Sequence, residues 1–196
     1  MIFDSITELM NYGADWAVDF NGKLALELGP GMGHFSVALA KRCPRNFHIL
    51  VDMNENSVAK IGRLISKSNL QNVGLIMGHA HTILADIEDD IGFQYIFSHF
   101  ASPQNQKEKS TPRLYHTPTC KQIIRLCEPE GSFFATSDRD EVVEEFWKNL
   151  KSGFYRTKWS LPIPPLEEGT IVGTDMEMKF SKEFGNWTRK LHLRKK

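Results

Sequence analysis

A chain of 196 residues that is 41% hydrophobic and 24% charged has the make-up of a globular protein with a full core, and one domain over residues 1–196 is expected. This excludes a disordered or fibrous chain, and a formal net charge of zero speaks against a uniformly basic nucleic-acid binder. No apolar run approaches the length of a bilayer span, and the opening Met1-Ile2-Phe3-Asp4-Ser5 lacks the basic and apolar regions of a signal peptide, so a cytoplasmic location without membrane contact is expected.

Residues 4–18 place Ile6, Leu9, Met10, Ala14, Trp16 and Ala17 at helical spacing after an Asp4-Ser5 start that can cap, which predicts a packing or lid helix within residues 1–20. A buried strand follows over 24–28 and breaks into Gly29, Gly31 and Gly33 before a helix over 33–42 that ends ahead of Pro44. Residues 47–52 read as a second buried strand ending on Asp52, 55–68 as a helix, and 73–77 as a third strand leading to Gly78-His79-Ala80-His81. A helix over 82–89 and a strand over 94–100 come next, and the polar, prolyl stretch 101–113 is too long for a tight turn and reads as a functional loop. The remainder predicts a helix over 117–127, a turn at 128–131 and a strand over 132–136. A helix then opens at Ser137-Asp138, followed by a strand near 155–159, an irregular segment over 162–173 and a final strand over 188–194. The alternation defines an α/β, Rossmann-like doubly wound fold with seven strands, mostly parallel, closed by an antiparallel hairpin.

Glycines between a strand and a helix accept positive φ and leave backbone amides bare for a ligand. The spacing here is Glu-x-Gly-x-Gly-x-Gly, with Glu27 just ahead of the turn, and a carboxylate there suits a cationic ligand rather than a pyrophosphate. Asp52 lies about twenty residues after the glycines at a strand end, where an acid can accept hydrogen bonds from ribose hydroxyls. His79 and His81, with His99 and His116, raise a metal site, but no acid or cysteine ligand stands near them at standard spacing and no metal is expected. Cys43, Cys120 and Cys127 form no Cys-x-x-Cys pair and read as buried thiols. Basic residues gather at Lys107, Lys109, Arg113, Lys121 and Arg125 and again at Lys179, Lys182, Arg189, Lys190, Arg194, Lys195 and Lys196. They either meet as a phosphate footprint or solvate loops and a terminus.

The glycine turn resembles motif I of the class I, S-adenosylmethionine-dependent methyltransferases. Taken with Leu70-Gln-Asn-Val73, Ala135-Thr-Ser-Asp138, Thr174-Asp-Met-Glu177 and Phe184-Gly-Asn-Trp187, the chain resembles the bacterial tRNA (guanine-N7-)-methyltransferases from residue 24 onward. The resemblance implies the class I methyltransferase fold, S-adenosylmethionine as cofactor and tRNA as partner, with a monomer and a homodimer both open. It implies that Glu27, Gly29, Gly31, Gly33, Asp52, His79 and Ala80 bind the cofactor, that Asp138, Thr174 and Glu177 meet the guanine or its sugar, and that Lys107 and Arg113 grip phosphate.

Where that family carries Pro-Asp-Pro-Trp, this chain has Ala101-Ser102-Pro103-Gln104, so Ser102 occupies the place of the acid implied to be catalytic. Guanine N7 offers a lone pair and no proton, so methyl transfer demands positioning more than a base, and a serine keeps a donor and acceptors for that purpose. Two alternatives follow from the altered loop: a non-catalytic RNA- or cofactor-binding relative, and a methyltransferase for a different RNA or small molecule.

Overall fold

The computed structural model describes residues 1–100, 114–158 and 189–196. In chain order these form β1 (Ile2–Phe3), α1 (Ile6–Asp19), β2 (Leu24–Leu28), α2 (His34–Arg42), β3 (Phe47–Asp52), α3 (Glu55–Lys67), β4 (Val73–Met77) and α4 (Ala80–Ala85). There follow β5 (Phe93–His99), α5 (Thr117–Leu126), β6 (Cys127–Ser137), α6 (Asp140–Leu150), β7 (Phe154–Thr157) and β8 (Arg189–Lys195).

The strands make one sheet in the order β1-β4-β3-β2-β5-β6-β8-β7. Pairing is parallel from β1 through β6, and β8 runs antiparallel between β6 and β7. The predicted doubly wound sheet with its antiparallel close is therefore present, and Ile2–Phe3 adds an edge strand that two residues were too short to announce.

Every residue of β2 and of β3 is buried, because helices cover both faces, and this is why Leu-Ala-Leu-Glu-Leu and Phe-His-Ile-Leu-Val-Asp run without polar alternation. Leu24, Leu26, Leu28, Phe47, Ile49 and Val51 pack with Leu9 and Met10 of α1 and with Ile123, Phe146 and Leu84 of α5, α6 and α4. Residues of opposite parity turn the other way. Leu50, Val73 and Leu75 meet Val37 and Ala40 of α2 and Val58, Ile61 and Ile65 of α3, while Ala25 and Phe97 meet Phe35 and Leu39.

Local chemistry fixes the helix starts and the turns. Ser5 caps α1, with the Glu8 amide donating to its hydroxyl, and Asn54 caps α3 through a 3.0 Å bond from the Ser57 amide. Buried Asn72 donates to the carbonyls of Ala40 (3.1 Å) and Asn46 (3.0 Å), fastening the end of α2 to the approach to β4.

Several predicted boundaries move. The expected turn at 128–131 is a bulge inside β6: Phe93 pairs with Cys127 and Tyr95 with Ser132, so extra residues loop out without ending the strand. Glu130 takes a φ of 62° there, and a Cβ on Gly131 would lie 2.8 Å from the Glu128 carbonyl oxygen. α4 starts at Ala80 and stops at Ala85, earlier than the predicted 82–89, and Arg125 takes up the carbonyls of Leu84 in its last turn and of Ile87 just beyond it. α6 begins at Asp140, since the Ser137 hydroxyl accepts the Arg139 amide and spends that turn as an ST-type cap. β7 ends at Thr157, and Trp159, the irregular segment 162–173 and Thr188 lie outside the described residues.

Candidate cofactor-binding site

Successive strands are added outward from β2 in two directions, toward β3 and toward β5, so the sheet changes winding direction between β2 and β5. The crevice at the carboxyl ends of such strands is where open α/β sheets bind ligands. Gly29, Gly31 and Gly33 lie there with φ of 71°, 59° and 78°, a region costly for other residues. The Gly29 amide donates to the Val51 carbonyl at 2.9 Å and the Gly33 amide to the Pro30 carbonyl at 2.9 Å, which fixes the turn against β3 and opens α2. A Cβ on Gly33 would meet Ile61 at 2.9 Å, whereas a Cβ on Gly31 would meet no atom within 4 Å. Gly33 is thus needed for α2 to close on α3, and Gly31 borders open space fit for a ligand.

Asp52 ends β3 beside this turn and is 8% exposed. Its carboxylate accepts the Asn54 amide at 2.8 Å, and the backbone N–H groups of Gly31 and Met53 lie close enough to favour its charged form. Burial pushes its pKa up, and those amides pull it back. Glu27, next to last in β2, faces α2, is 3% exposed, and accepts a hydrogen bond on Oε2 from the Ser36 hydroxyl. Burial first, and the nearby Asp52 charge second, raise the Glu27 pKa to about 8. Glu27 therefore lies beneath the turn, not on its outer surface.

His79 is exposed at the N-cap of α4, with its ring 5.6 Å from that of His81, and Ala80 is half-buried beside it. Met32 in the glycine turn, Met53 just past β3 and Met77 at the end of β4 are 44%, 57% and 53% exposed. At the end of β5, His99 Nδ1 is 3.1 Å from the Thr136 hydroxyl of β6, and Phe100 adopts a φ of 49° while its amide donates to the Thr136 carbonyl at 2.6 Å. Asp138 is exposed just past the carboxyl end of β6, on the same edge of the sheet. Ser102, Lys107, Arg113, Thr174 and Glu177 lie outside the described residues.

Arg125 is not free for phosphate. It donates to the Leu84 carbonyl at 2.8 Å and the Ile87 carbonyl at 3.0 Å, and pairs with Asp89 at 2.5 Å. Arg189 pairs with Asp140, Arg194 with Glu130, and Lys195 with the Ile124 carbonyl, so these tail cations also hold partners within the fold. Cys120 and Cys127 are buried, as expected, and Cys43 is half-buried. No three His, Cys, Asp or Glu side chains cluster among the described residues, and no described helix is long and apolar enough to cross a membrane.

The sequence reading missed Ser36 and the three rim methionines. A lone hydroxyl among Phe35, Val37, Leu39 and Ala40 was the available sign for Ser36, whereas an isolated methionine after a strand carries no signal of its own.

Sheet order and glycine turn together define the class I methyltransferase fold. The chain is similar to the Streptococcus mutans protein SMU.1697c, solved in complex with SAH, at a TM-score of 0.59 and 15% identity, with both chains covered in full. The particular family follows from the sequence: residues 21–188 match the family described as "Putative methyltransferase", and the chain belongs to it. It is 25% identical over 171 residues to the tRNA (guanine-N(7)-)-methyltransferase of Clostridioides difficile, covering 86% of this chain and 79% of that protein. It is 24% identical over 127 residues to the protein of that name from Neisseria gonorrhoeae, covering 65% of this chain and 53% of that protein. In the latter match the chain spans about half the length of its relative.

Proposed function

We propose that the chain is an S-adenosylmethionine-dependent methyltransferase, a single domain acting in the cytoplasm on guanine N7 of tRNA. The observation that carries this is the turn itself: three left-handed glycines, open space over Gly31, a carboxylate at the rim in Asp52 and another beneath in Glu27. Two acids at a glycine turn that carries no Lys or Arg between Gly29 and Gly33 suit a cationic nucleoside ligand better than a phosphate. The cofactor supplies an electrophilic methyl group on a sulfonium, and N7 supplies the lone pair that takes it.

The residues then divide the work of binding and positioning. Asp52 accepts from the ribose. A carboxylate has about four lone-pair sites, and the Asn54 amide already uses one of them, which leaves capacity for ribose hydroxyls. Met53 and Met77 offer polarisable apolar surface to the adenine, with His79 as an acceptor for its amino group and Ala80 allowing close approach. Asp138, Thr174 and Glu177 orient the guanine, Lys107 and Arg113 hold phosphate, and Ser102 positions the base by hydrogen bonding.

A second reading, a relative with another substrate or none, is favoured by Ser102 and Gln104 standing where the similar family has Asp and Trp. Mass spectrometry of nucleosides from tRNA lacking N7-methylguanosine, after incubation with protein and S-adenosylmethionine, separates the two. N7-methylguanosine is the expected product; methylation elsewhere, or none, overturns the tRNA assignment. Asp52→Ala should weaken S-adenosylmethionine binding at least about tenfold, the effect of losing a charged hydrogen bond. Unchanged affinity in calorimetry would remove Asp52 from the site.

A further inference from the structure

Ser36 stands on the second residue after His34 in α2, and its hydroxyl donates to Oε2 of Glu27 across the interface between helix and sheet. Both side chains are buried, 2% and 3% exposed, and the space they share with Phe35, Leu39, His48 and Phe97 has no room for a water molecule. No solvent is at hand to replace that hydroxyl, so the serine is a built partner for the acid. Position 36 lies within a run of apolar residues and forms no part of the glycine signature.

We propose, resting on the cofactor reading above, that Ser36 is a positioning residue that fixes the Glu27 side chain beneath the glycine turn and eases the loss of its proton, so that the carboxylate formed there draws the cationic amino-acid end of the methyl donor. A hydroxyl donating to a carboxylate favours its charged form, and a buried acid without such a donor gives up its charge by taking a proton. Among the described residues, few groups face Glu27. α2 contributes Ser36, Phe35 and Leu39, β5 contributes Phe97, and β3 contributes the titratable His48 and Asp52. His48 is held neutral by burial, with its pKa lowered to about 4, and Asp52 opposes the Glu27 charge. Ser36 is therefore the group among these that favours ionisation of Glu27, and affinity for a cation becomes tied to pH through this pair.

The test is calorimetric titration of S-adenosylhomocysteine, which keeps the ammonium and cannot react, from about pH 6 to about pH 8.5. Wild type, Ser36→Ala, Ser36→Thr, Glu27→Gln and the Ser36→Ala/Glu27→Gln double variant are compared. Wild-type affinity should rise at least about tenfold across this range as Glu27 loses its proton. Ser36→Ala should move that rise up by about one pH unit and weaken binding about tenfold at neutral pH, while Ser36→Thr restores the wild-type profile. In Glu27→Gln the rise should vanish and Ser36→Ala should add no further loss, an outcome that a purely packing role for Ser36 would not produce. A profile unmoved by Ser36→Ala, or an equal loss with and without Glu27, overturns the inference. Absence of binding by wild type at every pH overturns the cofactor reading instead. Should Ser36→Ala fail to fold, Ser36→Cys takes its place, keeping the volume but donating weakly.

Discussion

Glu27 and His48 line the same dry space between the sheet and α2, 3% and 3% exposed, and they respond to protons in opposite ways. Glu27 titrates at about 8 in the fold against an ordinary 4.5, so between those values the folded chain holds a proton that the unfolded chain has lost. Its contribution is full below about 4.5 and declines as pH rises toward 8, by at most about 1.4 kcal/mol per pH unit. His48 titrates at about 4 against an ordinary 6.5, so its contribution is full above 6.5 and is lost as pH falls toward 4. In the window where both act the slopes cancel, and above 6.5 the Glu27 slope stands alone. Urea unfolding should therefore show Glu27→Gln gaining on wild type by about 1 kcal/mol per unit from pH 6.5 to 8. His48→Gln should lose the protection against the falling limb, becoming steadily less stable from pH 4.5 to 8 instead of level up to 6.5. Differences from wild type that do not change with pH would mean that neither group is perturbed as the structure indicates.

At the scale of elements, the turn into α2 and the end of α4 are the joints most open to test. Gly33→Ala forces a Cβ to 2.9 Å from Ile61 at a φ of 78° and should cost about 1–3 kcal/mol in denaturant unfolding. A cost near zero would mean that α3 simply moves aside. Arg125→Ala removes the donor from the Leu84 and Ile87 carbonyls and should cost about 1–2 kcal/mol, whereas Arg125→Lys recovers little of it because a single ammonium cannot span both. Most of this architecture was legible from the residues. Largely apolar runs marked β2, β3 and β4, helical spacing and caps marked α1 and α3, and the three glycines marked the turn from β2 into α2.

What escaped was set by contacts distant in the chain. Ile2–Phe3 is a strand because β4 is beside it, and residues 128–131 look like a turn by composition yet stay in the sheet because β5 holds both flanks. Arg125 read as one of a basic group until α4 supplied carbonyls for it. Ser36 was hidden for the same reason, since a hydroxyl gains its meaning only from the acid nine residues earlier that the fold turns toward it.

For the molecule as a whole, stability should be graded from the middle of the sheet outward. β2 and β5 are enclosed by strands on both sides and by helices on both faces, while β1 and β7 are edges. Hydrogen exchange followed by mass spectrometry should find the slowest amides in β2, β3 and β5 and the fastest among the strands in β1 and β7. Uniform protection across the sheet would mean that the edges open only with global unfolding.

The placement of β8 carries a further consequence for how the chain reaches this state. β6 pairs with a strand about sixty residues later, Ser132 lying opposite Arg194, and among the described strands β7 joins the sheet through that strand alone. On a ribosome, the half of the sheet that includes the glycine turn can assemble while the outer edge of β6 still lacks its neighbour, and Phe133, Ala135 and their row then present an open, apolar edge. Closure must wait for residues 189–195, and a contact of such sequence separation forms slowly. A pulse-labelled nascent chain should acquire protease resistance in two stages, the second only after β8 emerges.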